Sequence, residues 1–169
     1  MLYQKMNLFT FVKNKLMQIK NINLAKNILI LILISTKITS SQNLNDLSFG
    51  SDSTFEIVSW NIEWFPKNNN TATYVETIIT KLESDIYALQ EISDTTLLKT
   101  IATNIGNYEC YFNSTYYGGL AYIYNNNTVQ INDKYEIYTS QAYWNAFPRS
   151  PQVLDINFDG INYIIINNH

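Results

Sequence analysis

Cysteine and histidine are almost absent from this chain of 169 residues, which contains one of each, Cys110 and His169. A lone thiol excludes an intrachain disulfide and a metal site built from several thiolates. Because Cys110 lies in the aromatic-rich run Tyr108–Phe112, we expect a buried, unreactive thiol on a strand.

Basic residues are scarce outside the amino-terminal segment. Residues 1–41 hold six lysines and no acidic residue, whereas the rest of the chain has five basic and fourteen acidic residues, a net charge of −9. An acidic domain lacks the broad basic surface that tight, non-specific nucleic-acid binding needs. This charge weakens the case for a nucleic-acid binder but leaves a nuclease open, because a bound metal ion supplies positive charge locally.

No apolar run reaches the roughly 20 residues that a helix needs to span a bilayer, so no stable membrane span is expected. The longest run, Ile28–Ile34, has seven residues and follows a lysine-rich start, a pattern typical of an export signal. We therefore predict a signal peptide over residues 1–41, with Thr39 and Ser41 before the cleavage site, and a secreted or periplasmic protein. A start at Met17 would give a signal of more usual length. The alternative is an uncleaved anchor at the membrane surface.

The remaining sequence suits one domain. With 46% apolar residues, the chain is long enough for a single substantial core and too short for two. Residues 42–54 are rich in Ser, Asn and Asp and predict a flexible lead-in. Strands are then predicted over about 55–62, 86–90, 108–112, 120–124, 129–138, 153–158 and 161–167, and amphipathic helices over about 73–83 and 94–105. Asp159-Gly160 predicts a two-residue hairpin turn between the last two strands.

Several predicted strands are apolar on both faces, as Ile86–Leu89 and Ile164–Ile166 illustrate. Adjacent residues of a strand point to opposite sides, so such a strand must be covered above and below. A sheet covered in this way needs helices or a second sheet on each side, and only two helices are predicted.

Polar residues follow the apolar part of two of these strands. The run Ile57–Glu63 carries Asn61, and the run Asp85–Glu91 ends in Glu91. Open α/β sheets tend to place their chemistry at the carboxyl ends of strands. Mg²⁺ prefers oxygen ligands and is commonly held by one or two carboxylates, water and substrate phosphate. We predict Glu91 as the principal metal ligand, with the side-chain oxygen of Asn61 beside it; the alternative for each is strand-end capping or a surface salt bridge.

Three further residues have side chains suited to acid, phosphate or proton chemistry. Glu63 lies two residues after Asn61, so in a continuous strand it would face the same side and supply an acid next to the ligands. Arg149 precedes the predicted hairpin, where a guanidinium suits bidentate contact with phosphate; the alternative is packing over Tyr143 or Trp144. His169 ends the chain, and its imidazole suits proton transfer near neutral pH; the alternative is a frayed terminus.

Four of these features stand in the order of the motifs of a known superfamily. They are Trp60-Asn61, Leu89-Gln90-Glu91, Arg149-Ser150-Pro151 and a strand ending in His169. Together they resemble the endonuclease/exonuclease/phosphatase superfamily, whose members are Mg²⁺-dependent phosphoesterases. They include deoxyribonuclease-type and abasic-site nucleases, inositol polyphosphate phosphatases and sphingomyelinases.

The resemblance implies the fold class α+β, an α/β sandwich of two sheets flanked by helices, here truncated to about half of the domain. It also implies a nuclease or phosphodiesterase-like hydrolase that uses Mg²⁺, with Mn²⁺ or Ca²⁺ as alternatives. It implies that Glu91 binds the metal beside Asn61, that Arg149 contacts phosphate, and that His169 transfers a proton or contacts phosphate. The substrate would be a phosphoester, either nucleic acid or a phospholipid or inositol phosphate head group, and no protein partner is implied.

Two later motifs of the superfamily, Gly-Asp-x-Asn and Ser-Asp-His, do not occur in this sequence. The resemblance covers residues 55–169 and corresponds to the N-terminal portion, about half, of the superfamily domain. We therefore expect an incomplete member with little or no catalysis by this chain, which the DNA beyond the His169 codon would test. The alternative function is a non-catalytic exported β-rich binding protein that uses its thirteen tyrosines and three tryptophans as contact surfaces.

Overall fold

Seven strands and two α-helices are found in the described part of this computed structural model, residues 44, 47, 49–51, 53–112 and 118–169. These residues lie within the unit Leu44–His169, so the predicted signal peptide and part of the lead-in fall outside the described residues. No helix in these ranges has the length and apolar character needed to cross a membrane. The strands are β1 Ile57–Phe65, β2 Ile86–Ile92, β3 Tyr108–Tyr111, β4 Gly119–Asn125, β5 Gln130–Glu136, β6 Gln152–Phe158 and β7 Ile161–Asn167; the helices are α1 Thr71–Leu82 and α2 Thr95–Ile105, and Gln141–Tyr143 form a 3₁₀ turn.

The ends of helix α2 follow from its sequence. The Asp94 carboxylate accepts a hydrogen bond from the Leu97 amide at 2.9 Å, and Gly106 ends the helix with φ of 96°. An acidic N-cap and a glycine just past the last turn are the usual signals for these two ends. Leu98, Ile101 and Ala102 are buried on one face, as the helical spacing of the apolar residues predicts.

The first sheet has the strand order β1-β2-β4-β3. Strands β1 and β2 are parallel, with α1 as their crossover, and the other two pairs are antiparallel. Both helices pack on one face of this sheet. The buried residues of this layer include Val75, Ile79, Leu98 and Ile101 from the helices and Tyr87, Leu89, Ala121 and Ile123 from the strands.

The second sheet has the order β5-β6-β7 and is antiparallel throughout. Its last two strands are joined by Asp159-Gly160, with φ of 48° and 79°. Positive φ at both central residues is characteristic of a two-residue type I′ hairpin. The predicted hairpin is therefore confirmed.

The two sheets pack against each other through a second layer of buried side chains. It contains Ile86, Ala88, Tyr122 and Tyr124 from the first sheet and Leu154 and Ile156 from the second. Strand β2 thus has Tyr87 and Leu89 toward the helices and Ile86 and Ala88 toward the second sheet. The predicted α+β sandwich is confirmed, with helices on one face of the first sheet and the second sheet on the other.

The outer face of β7 is apolar and open. Ile165 packs toward the first sheet, whereas Ile164 and Ile166 are 57% and 55% exposed. The sequence predicts a strand covered on both faces here. Within the described residues, only the inner face of β7 is covered.

Candidate active site

Strands β1 and β2 end side by side and carry Asn61 and Glu91 to the same edge of the first sheet. Asn61 is paired with Gln90 in the parallel register, and the ladder is irregular on both strands directly after that pair. Glu63, Trp64 and Glu91 have φ of 47°, 58° and 62°. A left-handed conformation costs a non-glycine residue about 1–2 kcal/mol, and such conformations cluster at functional sites. The left-handed backbone at these three residues therefore makes this edge of the sheet a candidate functional site.

The Asn61 amide links the ends of the two strands. Its Nδ2 donates to Glu91 Oε1 at 2.9 Å, and its Oδ1 accepts the backbone N–H of Glu63 at 2.8 Å. The two motif residues thus lie together at one site. The amide oxygen, which the sequence predicts beside a cation, is used here to hold the turn at Glu63.

Glu91 presents one carboxylate oxygen to its neighbours. Oε1 is bonded to Asn61 and lies 3.4 Å from His169 Nε2, and the side chain is 16% exposed. The second oxygen, Oε2, makes no hydrogen bond to a described residue. Glu91 therefore combines a fixed position with an available oxygen.

His169 lies at the centre of the cluster. Its Nδ1 is 3.3 Å from Arg149 Nη1, and its Nε2 is 3.3 Å from Asn61 Nδ2. A guanidinium has donors and no acceptor, so Nδ1 must be the accepting nitrogen in this contact. The neutral ring then carries its proton on Nε2, directed toward Glu91 Oε1. In this tautomer the approach of Asn61 Nδ2 to Nε2 is a contact between two donors and not a hydrogen bond. This tautomer is assigned from the contacts.

Arg149 is half-buried beside His169. A Cβ atom built at Gly118 would lie 3.0 Å from Arg149 Nη2 and 2.9 Å from the ring of Trp64, so the guanidinium and this ring both border Gly118. The Nε atom of Arg149 is buried and has no hydrogen-bond partner among the described residues. The alternative of packing over Tyr143 or Trp144 stays a prediction.

Glu63 contributes its main chain to the site rather than its carboxylate. Its side chain is 64% exposed and pairs with Lys67, while its N–H binds Asn61. The sequence-based expectation assumed that β1 continues as a regular strand. The positive φ of Glu63 breaks that assumption and turns the side chain toward Lys67.

Sequence reasoning missed two amides behind the cluster, Gln90 and Asn167. Both are buried, and Gln90 Nε2 donates to Asn167 Oδ1 at 2.7 Å. The available signal was an amide on the inward face of an otherwise apolar strand, since buried amides are rare without bonded partners. Trp64 and Gly118 were also missed, because their proximity to Arg149 depends on tertiary structure.

The fold and this cluster can be compared with known proteins. The sequence matches no protein-family model and no curated protein. TDP2 from D. rerio, solved with a single-strand DNA product, matches 68% of this chain and 45% of its own length with 18% identity and a TM-score of 0.56. A mannosyl-6-phosphatase from Bacteroides thetaiotaomicron matches 67% of this chain and 50% of its own length with 12% identity and a TM-score of 0.52.

This chain has the endonuclease/exonuclease/phosphatase fold. A humanised D. rerio TDP2 carrying 14 mutations matches as well, over 66% of this chain and 48% of its own length, with 17% identity and a TM-score of 0.54. The chain thus spans about half the length of these solved structures. At this identity the comparison establishes the fold alone.

The donor set of the site suits one hard divalent cation. In the described ranges no group of three or more His, Cys, Asp or Glu side chains could enclose a metal ion. Mg²⁺ does not require such a cage, because one carboxylate, several waters and a substrate phosphate commonly hold it. The available oxygen of Glu91 fits that mode of binding.

Proposed function

We propose that this protein is an exported, divalent-metal-dependent phosphoesterase with Mg²⁺ as the working ion. The observation that carries the proposal is the convergence of Asn61, Glu91, Arg149 and His169, which come from both sheets, on one edge of the sandwich. A carboxylate for a cation, a guanidinium for a phosphate and an imidazole for a proton are the groups that phosphoester hydrolysis uses.

The proposal gives a role to each of these four residues. Glu91 Oε2 would hold the cation, which when bound polarises a phosphoryl oxygen and stabilises the leaving oxygen. Arg149 would bind and orient the phosphate, with His169 Nδ1 fixing the direction of its guanidinium. His169 would hold a proton at Nε2 and transfer it at the edge where Glu91 lies. Asn61 would keep the Glu91 carboxylate in place.

The central experiment measures hydrolysis of plasmid DNA and of bis(p-nitrophenyl) phosphate, with Mg²⁺ and with EDTA. Whatever turnover the chain supports should require the metal and should fall at least about 100-fold in Glu91→Gln, since even residues that support a ligand are worth 10- to 100-fold. Glu76→Gln removes a carboxylate from the surface of α1 and serves as the matched control. Glu63→Gln tests whether the Glu63 carboxylate acts as an acid next to the metal ligands, and we expect little change in turnover.

Metal-independent turnover, or measurable turnover that is equal in wild type and Glu91→Gln, would contradict the proposal. Binding can be measured apart from turnover with Mn²⁺, which broadens NMR signals of nearby nuclei. The ring of His169 gives an unambiguous signal because the chain has one histidine. A chain that neither turns over nor shows Mn²⁺ broadening at His169 would also count against the proposal.

Export is a separate part of the proposal. It rests on the lysine-rich start and apolar run Ile28–Ile34, a signal-peptide pattern. N-terminal sequencing of protein recovered outside the cytoplasm should give Gln42 as the first residue. A chain that keeps residues 1–41 and stays with the membrane would favour the surface anchor.

A second candidate function is non-catalytic binding through aromatic side chains. The segment between β5 and β6 favours it, since Tyr138 stacks on Phe147 at 4.9 Å and Tyr143 lies 4.9 Å from Tyr138. Tyr138, Tyr143 and Trp144 are exposed. This candidate predicts a folded protein that binds a glycan or protein and gives no response of His169 to Mn²⁺.

A further inference from the structure

Gln90 and Asn167 form a buried bridge between the two sheets. Gln90 Nε2 donates to Asn167 Oδ1 at 2.7 Å, and Asn167 Nδ2 donates to the carbonyl oxygens of Leu89 and Ala121 at 2.9 and 3.0 Å. Gln90 Nε2 also donates to the Ala88 carbonyl oxygen at 3.0 Å. Every contact of the Asn167 amide is thus to the first sheet, although the residue belongs to β7.

The bridge is adjacent in sequence to two residues of the site. Gln90 directly precedes Glu91, and Asn167 lies two residues before His169. Glu91 leaves the regular strand with φ of 62°, and His169 lies beyond the end of β7. Each functional side chain therefore stands one or two residues past a buried, hydrogen-bonded anchor.

We propose that Gln90 and Asn167 are a positioning pair, which sets the distance between Glu91 and His169 by locking β2 to β7. The inference rests on the function proposed above and extends it to two residues that touch neither substrate nor metal. Buried amide networks hold one geometry when every group is bonded. Site residues commonly depend on such supporting bonds for their orientation.

Tyr122 provides a matched control for this idea. Its hydroxyl donates to the carbonyl oxygens of Gln152 and Ile165, both at 3.1 Å, so it also joins the first sheet to the second. Unlike the amide pair, it is not next to Glu91 or His169 in the sequence, and it meets Asn167 at the backbone rather than at the side-chain amide. Removing the Tyr122 hydroxyl therefore shows the effect of losing a hydrogen bond between the sheets, and it can be compared with the effect of losing the Gln90–Asn167 bond.

The test compares Gln90→Met and Tyr122→Phe in the full chain. Gln90→Met keeps the length of the side chain and leaves both donor bonds of Asn167 intact. The first readout, without metal, is the nuclear Overhauser effect between the Asn61 side-chain amide and the His169 ring. The second is broadening of the His169 ring signals by Mn²⁺, and urea denaturation measures the stability of both variants.

We expect Gln90→Met to lose the Asn61–His169 Overhauser effect and most of the Mn²⁺ broadening at His169. Tyr122→Phe should lose stability and keep both signals. If Gln90→Met keeps both signals, or Tyr122→Phe loses them to the same degree, the positioning role is wrong. The metal-free readout separates the two proposals. Suppose that wild type shows the Asn61–His169 Overhauser effect and no Mn²⁺ broadening at His169, and that Gln90→Met loses the Overhauser effect. That result would support the positioning role and contradict the proposed function.

A measurement on the unmodified protein applies even if Gln90→Met does not fold. The side-chain amide protons of Asn167 should exchange with solvent far more slowly than those of exposed Asn162 on the same strand. Buried, hydrogen-bonded groups exchange after local or global opening. Exchange of Asn167 at the rate of Asn162 would overturn the proposal.

Discussion

At the scale of single residues, Gln152 and Asn167 contrast sharply although they lie directly opposite each other in the β6–β7 pair. Both are buried amides, with 0% and 2% exposure. The Asn167 side chain makes three hydrogen bonds, whereas neither the nitrogen nor the oxygen of the Gln152 side chain has a hydrogen-bond partner among the described residues. A buried amide thus stabilises the folded protein at position 167, where it is hydrogen-bonded, and destabilises it at position 152, where it is not.

We predict that Gln152→Met increases the free energy of unfolding by about 1–3 kcal/mol. A buried polar group without a partner costs about that much, and an apolar side chain of similar shape removes the cost. Urea denaturation measures the change. Gln141→Met, at an exposed residue of the 3₁₀ turn, should stay within about 0.5 kcal/mol of wild type. A destabilised Gln152→Met would mean that this amide has a bonding role.

At the scale of elements, sequence reasoning succeeded where local chemistry decides the structure. Asp94 and Gly106 fix the ends of α2, and Asp159-Gly160 fixes the β6–β7 turn. Each of these signals acts through hydrogen bonds or φ values within a few residues. Their positions could therefore be read without knowledge of the tertiary structure.

The carboxyl end of β1 was predicted poorly. The strand was expected to end at Ile62 and continues to Phe65, with left-handed residues at Glu63 and Trp64. The local signal is Asn61, whose side-chain oxygen accepts the Glu63 N–H as in an Asx turn, but from the sequence that oxygen was predicted to lie beside a cation. Asn61 and Glu91 were found because they stand in recognisable motifs, while Gln90 and Asn167 meet only when the two sheets pack.

Two glycines in turns can distinguish the effect of backbone strain on stability from the effect of a new side chain on the candidate site. Gly118 and Gly160 have φ of 68° and 79°, but an added Cβ meets Trp64 and Arg149 at Gly118 and nothing within 4 Å at Gly160. We predict that each alanine substitution lowers the free energy of unfolding by about 1 kcal/mol, because left-handed backbone disfavours a Cβ.

The glycine substitutions should differ in their effect on the site. Gly118→Ala should also weaken binding of inorganic phosphate, because it displaces the Arg149 guanidinium, whereas Gly160→Ala should not. Urea denaturation gives the stability of each variant, and phosphate titration monitored at the His169 ring gives the binding. Equal phosphate binding by both variants would show that Arg149 does not contact phosphate.

At the scale of the whole molecule, the core contains ionisable groups held in their neutral forms. Burial raises the pKa of Tyr87, Tyr108, Tyr122 and Tyr124, and it raises the pKa of Cys110 to about 12. These groups lie on β2, β3 and β4, so they report on the first sheet. Ionisation of any of them would place a charge in an apolar layer.

We predict that alkaline conditions destabilise the protein. Because each folded-state pKa lies above its unfolded value, the contribution of each group is complete below the unfolded pKa and is lost as pH rises through the folded value. Unfolded cysteine and tyrosine titrate near 8.5 and 10. The urea midpoint should therefore decline above about pH 8.5 and more steeply above about pH 10. A midpoint unchanged to pH 11 would contradict this account.

The contact between Asn61 and His169 joins residues 108 positions apart in the chain. Closing so long a loop carries a large entropic cost, and contacts between distant segments slow folding. The helices and the β6–β7 hairpin need only neighbouring residues to form. We therefore expect a refolding molecule to form its helices and this hairpin before the contact that joins Asn61 to His169.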